Sequence, residues 1–262
     1  MTLHHVRRGT GTPLLLVHGL GGSWRSWGTV LDDLAGHREV IAVDLPGFGE
    51  TPPLLGQVSI ATLTDSVEAF LTEQDLRGVD TVGTSMGARM VLELARRGVG
   101  GDTVALDPGG FWTTGERRLF GMSLRASMAL VRRLDPVLPT LLGNPATRTA
   151  LLAQFSARPW ALRPEIPLAE LRRMLSSPSF DDALRALTDG PMQEGAANVP
   201  GRVTLGWGRR AGVTLPRQAA RAQRAFPGSE IHWFERCGHF PQWDAPAETV
   251  AVVLARTGSP VS

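Results

Sequence analysis

The chain has 262 residues, of which 42% are hydrophobic and 20% charged, and this is the composition of an ordinary globular protein. It contains no lysine, so its 27 basic residues are all arginine, and these lie scattered among 25 acidic residues. Because nucleic-acid binding needs basic residues clustered on one face, the composition excludes nucleic acid as the expected partner.

Short apolar runs alternate with helical patterns in the first part of the chain. Strands are predicted at 14–17, 40–43, 81–82 and 104–106. Apolar residues at helical spacing predict helices at 60–71 and 86–97. Strands that alternate with helices predict a parallel sheet covered by helices on both faces.

Residues 108–199 interrupt this alternation. Their apolar spacing predicts helices at 116–133, 147–155, 168–175 and 180–187, and no strand. The alternation then returns, with strands at 202–207 and 231–234 and helices at 216–225 and 247–255. We therefore expect one core domain, formed by residues 1–107 and 200–262, with an inserted helical cap at 108–199.

Few residues give an indication of the cellular compartment or of metal binding. The single Cys237 cannot form an intrachain disulfide, and residues 1–8 contain no long apolar run. No Cys, His and acidic residues occur together at metal-ligand spacing. A cytoplasmic protein without a membrane segment or a metal is expected.

A serine between two glycines stands at the junction of a predicted strand and a predicted helix. The residues are Gly83-Thr84-Ser85-Met86-Gly87, the G-x-S-x-G pattern of a nucleophile elbow. Small residues must flank the serine because the sharp turn crowds neighbouring segments together. We therefore predict the Ser85 hydroxyl as a nucleophile, with the Met86 amide at the helix N-terminus placed to stabilise an oxyanion.

Four segments in this chain, in this order, resemble the α/β-hydrolase fold family. They are Leu15-Leu16-Val17-His18-Gly19-Leu20-Gly21-Gly22, Asp44-Leu45-Pro46-Gly47-Phe48-Gly49, the serine motif, and Cys237-Gly238-His239-Phe240. The resemblance extends from about residue 12 to 256 apart from the helical segment, and it implies an α/β fold with a mostly parallel sheet. It also implies that Leu20 supplies a second oxyanion amide.

The resemblance implies His239 as the general base, since it follows the last predicted strand. The order of serine, acid and histidine in the chain is the order of this fold. His18 is expected to tie its loop to neighbouring backbone, and Asp44 to stabilise a turn. Asp244 follows His239 closely and is predicted to cap the last helix.

The catalytic acid is absent from the position that the resemblance implies. The family pattern Trp-Gly-x-x-Asp falls on Trp207 to Ala211, so Ala211 stands where the acid is expected, and no carboxylate occurs between Glu194 and Glu230. Three interpretations are open. The acid has been lost at Ala211, naturally or by engineering; or Asp107, after an earlier strand, replaces it; or the protein is no longer a hydrolase.

Six aromatic side chains are expected to line the substrate pocket: Trp24, Trp27, Phe111, Trp112, Phe155 and Phe240. An apolar pocket suits acyl or aromatic groups. The leading interpretation is a serine hydrolase that cleaves a small-molecule carboxylic ester, or a related acyl bond, through an acyl-enzyme and without a cofactor.

Other functions stay open. The segment Gly238-His239-Phe240-Pro241-Gln242-Trp243-Asp244 is similar to the histidine segment of C–C bond hydrolases that act on aromatic ring-cleavage products. A cofactor-free perhydrolase uses the same triad. Dehalogenases and epoxide hydrolases are disfavoured because both use aspartate where Ser85 stands. A non-catalytic, ligand-binding protein of this fold is the second class, and Ala211 is its only support.

Overall fold

A seven-stranded sheet forms the centre of the computed structural model, which describes residues 2–258. The strand order is β1-β3-β2-β4-β5-β6-β7, and every pair is parallel except β1 with β3. The strands are β1 (His5–Arg8), β2 (Pro13–Val17), β3 (Glu39–Val43), β4 (Asp80–Thr84), β5 (Thr103–Leu106), β6 (Val203–Gly208) and β7 (Glu230–Phe234). The sheet confirms the predicted fold class.

Helices cover both faces of this sheet. They are α1 (Thr29–Ala35), α2 (Ile60–Glu73), α3 (Met86–Arg96), α4 (Thr114–Leu134), α5 (Leu138–Gly143), α6 (Pro145–Leu152), α7 (Glu165–Ser176), α8 (Phe180–Asp189), α9 (Ala219–Ala225), α10 (Pro241–Asp244) and α11 (Pro246–Arg256). Among the described residues, no helix has both the length and the apolar character needed to cross a bilayer.

Strand β2 is apolar on both sides because each side is buried. In β2, Leu14 and Leu16 pack with residues of α1 and α11, whereas Leu15 and Val17 pack with residues of α2 and α3. All four side chains are fully buried. Each buried leucine contributes about 1.5–3 kcal/mol relative to an exposed one, so these runs hold the sheet between its two helical layers.

The sequence analysis missed the first strand. Strand β1 reads His-Val-Arg-Arg and pairs with β3 at the edge of the sheet. Its side chains are half-buried or exposed, so it lacks the apolar run that identified the other strands. Charged residues are usual on an edge strand, where they discourage pairing with another chain.

The helices between β5 and β6 occupy the segment that was predicted as an insertion. Residues 108–199 contain α4 to α8 and no strand. Helix α4 begins at a capping box in which Thr113 accepts from the Glu116 amide and the Glu116 carboxylate accepts from the Thr113 amide. Helix α7 reaches the loop after β2, because the Ser26 hydroxyl donates to Glu170 at 2.9 Å.

Candidate active site

The nucleophile elbow lies between β4 and α3. Ser85 has a φ of 55°, in the left-handed region, which costs roughly 1–3 kcal/mol in an L-residue. A Cβ atom at Gly83 would lie 2.3 Å from the Gly87 carbonyl oxygen, and one at Gly87 would lie 2.2 Å from the Val17 carbonyl oxygen. Both glycines are therefore required by close backbone approach, and the turn fixes Ser85 at the carboxyl end of a central strand.

Four side chains form a continuous chain of hydrogen bonds that starts at Ser85. Ser85 Oγ lies 2.9 Å from His239 Nε2. The other ring nitrogen, His239 Nδ1, lies 3.0 Å from Thr214 Oγ1, and Thr214 Oγ1 lies 3.2 Å from Asp107 Oδ1. The proposed base and the alternative acid Asp107 are thus brought together, with the Thr214 hydroxyl between them.

Burial shifts the pKa values of the two titratable side chains in this hydrogen-bonded series, His239 and Asp107. His239 is 1% exposed, and burial lowers the pKa of its imidazole to about 3, so the ring is neutral at neutral pH and able to accept a proton. Burial also raises the pKa of the Asp107 carboxyl well above its usual value. Hydrogen bonds from the Gly208 amide and the Thr214 hydroxyl oppose that rise, and the charge of Asp244 adds to it.

The two predicted oxyanion amides come from segments that both touch Ser85. Met86 is the first residue of α3, so its amide belongs to the turn that has no intrahelical acceptor and carries the positive end of the helix dipole. The loop after β2 runs beside the serine, because a Cβ atom at Gly19 would lie 3.2 Å from Ser85 Cβ. Leu20 follows in that loop. The oxyanion roles of Leu20 and Met86 stay predictions.

The prediction that Asp244 caps the last helix is wrong. Helix α11 begins after Ala245 with no side-chain cap. Asp244 Oδ2 instead accepts from the Gly238 amide at 2.7 Å and the Ala157 amide at 2.8 Å, and the Ser156 hydroxyl donates to Oδ1 at 2.5 Å. Asp244 therefore ties the histidine loop to the segment between β5 and β6.

His18 has the structural role that the sequence analysis expects. Its Nδ1 donates to the Gly19 carbonyl oxygen at 2.7 Å, and its Nε2 accepts from the Leu45 amide at 3.0 Å. These two bonds require a neutral ring, and burial lowers the pKa of the His18 imidazole accordingly. The loop after β2 is thereby tied to the loop after β3.

A group of potential metal ligands, which the sequence spacing did not reveal, surrounds Asp44. Ligand-type atoms of His4, Asp44 and Glu50 lie within 4.8 Å of one another, although His4 and Asp44 are 40 residues apart in the chain. The Asp44 carboxylate accepts from the Trp24 amide at 2.7 Å and from the Glu50 amide at 3.0 Å. These bonds stabilise the turn after β3, the role predicted for Asp44.

A narrow cavity of about 20 Å³ opens beside the serine, with room for about one water molecule. Gly19, Leu20 and Thr84 line it on the serine side, and its remaining described lining is Gly22, Ser26, Glu170, Met174, Phe240, Gln242 and Trp243. A wider cleft of about 520 Å³ shares Ser26, Glu170, Gln242 and Trp243 with it. The cavity and the cleft are therefore neighbours, and the described lining of neither includes Ser85 or His239.

The six predicted pocket residues are divided among different places. Phe240 lines the narrow cavity, Trp27 lines the wider cleft, and Phe155 stacks on Phe240 with ring centroids 5.9 Å apart. The described linings of these two spaces do not include Trp24, Phe111 or Trp112. Trp112 instead stacks on Phe120, and the Arg25 guanidinium lies over Trp24. Aromatic composition alone did not separate pocket residues from packing residues.

Sequence reasoning missed three polar side chains at the site. Thr214 contacts the base directly, whereas Glu170 and Gln242 line the cavity. Thr214 lies three residues beyond Ala211, in the loop that was already searched for a carboxylate. A search of that loop for any hydrogen-bonding side chain, rather than for acids alone, would have found it.

Comparisons with known proteins show the family of the chain. A model of the alpha/beta hydrolase family matches residues 14–252. An uncharacterized protein of Mycobacterium tuberculosis is 30% identical over 275 residues, which cover 96% of this chain and 78% of the relative. The 2-hydroxy-6-oxo-2,4-heptadienoate hydrolase of Pseudomonas putida is 29% identical over 256 residues, covering 92% of this chain and 86% of that enzyme.

The solved structures show the same fold. An esterase from Exiguobacterium antarcticum superposes with a TM-score of 0.78 at 16% sequence identity, covering 97% of this chain and 94% of that one. At this identity the likeness concerns the fold alone.

Proposed function

Because this chain belongs to the alpha/beta hydrolase family, we propose that it is a serine hydrolase that cleaves carboxylic esters through an acyl-enzyme. One observation carries the proposal. Ser85 Oγ lies 2.9 Å from Nε2 of a histidine that is buried and neutral. A neutral imidazole at hydrogen-bond distance from a half-buried serine in a strained turn is the arrangement that generates an alkoxide nucleophile.

In acylation, His239 Nε2 takes the proton of the Ser85 hydroxyl as Oγ attacks the ester carbonyl carbon. The oxyanion that forms is stabilised by the amides of Leu20 and Met86; in such sites one donor contributes about 10²- to 10³-fold in kcat. The C–O bond to the alcohol then breaks, and His239 protonates the departing alcohol. The acyl group stays on Ser85.

Deacylation repeats these steps with water. His239 takes a proton from water, the hydroxide oxygen attacks the acyl carbon, and the bond to Ser85 breaks with return of the proton to Oγ. The products are a carboxylic acid and the free enzyme. Every proton moves through His239, so the reaction needs no cofactor.

We further propose that the helices at 108–199 act as a cap over this site. Glu170 and Met174 of α7 line the narrow cavity, and a Cβ atom at Gly21 would lie 2.5 Å from Met174 Cγ. Helix α7 therefore packs directly on the oxyanion loop. The expected substrate is a small-molecule ester with a compact acyl group, since a larger group would require α7 to move.

Hydrolysis of p-nitrophenyl esters tests the proposal. The chain is expected to release p-nitrophenol from the butyrate ester, and Ser85→Ala is expected to lower kcat by at least about 10³-fold. Arg210→Ala, an exposed position in the loop after β6, serves as the control. Unchanged activity in Ser85→Ala, or no activity across acyl chain lengths in the original chain, would overturn ester hydrolysis.

A second reaction, hydrolysis of a C–C bond in a ring-cleavage product, is favoured by one comparison. The Pseudomonas putida relative is named for a 2-hydroxy-6-oxo-dienoate, and it matches over 86% of its length. Mixing the chain with 2-hydroxy-6-oxo-2,4-heptadienoate and following the loss of dienoate absorbance tests this. A kcat/KM that exceeds the value for p-nitrophenyl butyrate would make the C–C bond the preferred target.

A further inference from the structure

We propose that Thr214 is a positioning residue that couples the ionisation of Asp107 to the position of the proton on His239. Four hydrogen-bonded side chains, and not three, then form the site. The inference rests on the proposed roles of Ser85 and His239. It gives the Thr214 hydroxyl a role that no sequence motif indicates. It also accounts for a serine hydrolase site that has alanine at position 211.

The placement of Thr214 leaves its hydroxyl little choice of partners. The residue is 1% exposed, and its Oγ1 lies 3.0 Å from His239 Nδ1 and 3.2 Å from Asp107 Oδ1. A hydroxyl carries one hydrogen to donate and lone pairs to accept. It therefore donates to one of these neighbours and accepts from the other.

The ionisation of Asp107 decides the direction. An ionised carboxylate only accepts, so the Thr214 hydroxyl must donate to it and must accept from His239. His239 then carries its proton on Nδ1, which leaves Nε2 free to accept the proton of the Ser85 hydroxyl. This is the tautomer that a general base requires.

A neutral Asp107 allows the reverse arrangement. Its carboxyl proton points to the Thr214 hydroxyl, which then donates to His239 Nδ1. The imidazole must in that case carry its proton on Nε2, where it blocks acceptance from Ser85. Thr214 thus links the charge of Asp107 to the tautomer of His239 through two hydrogen bonds.

Neighbouring contacts hold Thr214 in this position. Trp207 Nε1 donates to the Thr214 carbonyl oxygen at 3.0 Å, and the Gly208 amide lies 3.2 and 3.3 Å from the two carboxylate oxygens of Asp107. The same strand end, that of β6, therefore anchors both the hydroxyl and the carboxylate. The loop that carries the acid in the family pattern here supplies the hydroxyl, three residues after Ala211.

Two buried ionisable groups, Asp244 and Cys237, lie near these four hydrogen-bonded side chains. Asp244 faces it from the end of α10 and raises the pKa of the Asp107 carboxyl by its charge, after the larger effect of burial. Cys237 lies in the histidine loop, and burial raises the pKa of its thiol to about 12, so it stays neutral. Asp107 is the one of these groups that Thr214 links to His239 by hydrogen bonds.

A purely structural Thr214 would give different results from a relay. In the structural case, removal of its hydroxyl lowers the free energy of unfolding but leaves the pH profile and the histidine tautomer unchanged. Thr214→Val keeps the shape and removes the hydroxyl, and Thr214→Ser keeps the hydroxyl, so the two variants form a matched pair.

The expected kinetic result is a fall in kcat for p-nitrophenyl butyrate of about 10²- to 10⁴-fold in Thr214→Val, with KM little changed. Thr214→Ser should retain activity within about tenfold. The acid limb of kcat/KM that reports ionisation of Asp107 should disappear in Thr214→Val. Adding Asp107→Asn to Thr214→Val should cause no further loss, since both break one chain.

Imidazole nitrogen chemical shifts measured by NMR test the inference without any substrate. At a pH above the pKa of the Asp107 carboxyl, which burial raises, Nδ1-protonated His239 is expected in the original chain and in Thr214→Ser, and a mixture of tautomers in Thr214→Val. A Thr214→Val variant with the original tautomer, kcat and pH profile would overturn the relay. An inactive original chain with the predicted tautomers would refute ester hydrolysis and leave the relay standing.

Discussion

Replacement of Asp107 with asparagine perturbs the hydrogen-bond chain at its far end. Asp107→Asn preserves the size of the side chain and removes its charge. The Gly208 amide lies 3.2 and 3.3 Å from the two carboxylate oxygens, so it can keep the amide oxygen as its acceptor while the –NH₂ group faces Thr214. The Thr214 hydroxyl then accepts from Asn and donates to His239, so the histidine is expected to lose the Nδ1 proton.

The size of the effect follows from the geometry. Because the two hydrogen bonds measure 3.0 and 3.2 Å, the carboxylate and the imidazolium that forms in the transition state lie at most about 6 Å apart. At an effective dielectric constant of about 20, this separation gives an attraction of roughly 3 kcal/mol, or about 10²-fold in kcat. Reversal of the tautomer adds to the loss, towards the roughly 10⁴-fold known for the directly bonded triad aspartate of a serine protease.

Steady-state hydrolysis of p-nitrophenyl butyrate measures this loss. Asp102→Asn is the matched control, because Asp102 lies at the opposite end of β5 and binds Arg202 rather than the site. We expect kcat to fall in Asp107→Asn and to stay near the original value in Asp102→Asn. A folded Asp107→Asn variant with kcat within about twofold of the original would show that Asp107 is not the acid.

Four further predictions use other residues. Ala211→Asp should give no large gain in kcat, since the histidine already has a partner; a gain of several hundredfold would instead make position 211 the working acid site. Gly87→Ala should lower the free energy of unfolding by about 1–3 kcal/mol in urea titrations, because its Cβ would meet backbone at 2.2 Å, whereas Gly115→Ala meets open space and should not destabilise. Asp244→Asn should lower both Tm and kcat by loosening the histidine loop, and a change in neither would contradict that role. Burial lowers the pKa of His239 from 6.5 to about 3, so between these pH values the unfolded chain binds a proton that the folded chain does not. The free energy of unfolding should therefore fall as the pH falls from about 6.5 towards 3. The dependence of this free energy on pH should be shallower in His239→Gln, and an equal dependence would refute the prediction.

The sequence predicted the parts of the fold that depend on local pattern. The apolar runs of β2, β3 and β5 are continuous because both faces of the sheet are covered there, and the bounds of β2 to β7 were found within one or two residues. Ser85 was identified because the crowding of the elbow demands glycine on both sides, which leaves a signature in adjacent residues. His239 was identified from the resemblance and from its place after the last strand.

The remaining features depend on contacts between distant residues. The partners of Asp244 include Ser156, 88 residues away, and an aspartate two residues before a proline gives the same sequence whether its carboxylate caps a helix or ties two loops together. The contact of Thr214 with Asp107 spans 107 residues, and a threonine has no preference that marks it as part of a site. The pair of Thr214 and Asp107 depends on the pairing of β5 with β6, which local propensity does not encode.

Labelling with a fluorophosphonate, followed by peptide mass mapping, tests the nucleophilic role of Ser85 most directly. The mechanism predicts one phosphonyl group per chain, located on Ser85, with no label in Ser85→Ala and much slower labelling in His239→Ala. A chain that stays unlabelled under conditions that label ordinary esterases, or one that carries the label on another residue, would contradict it.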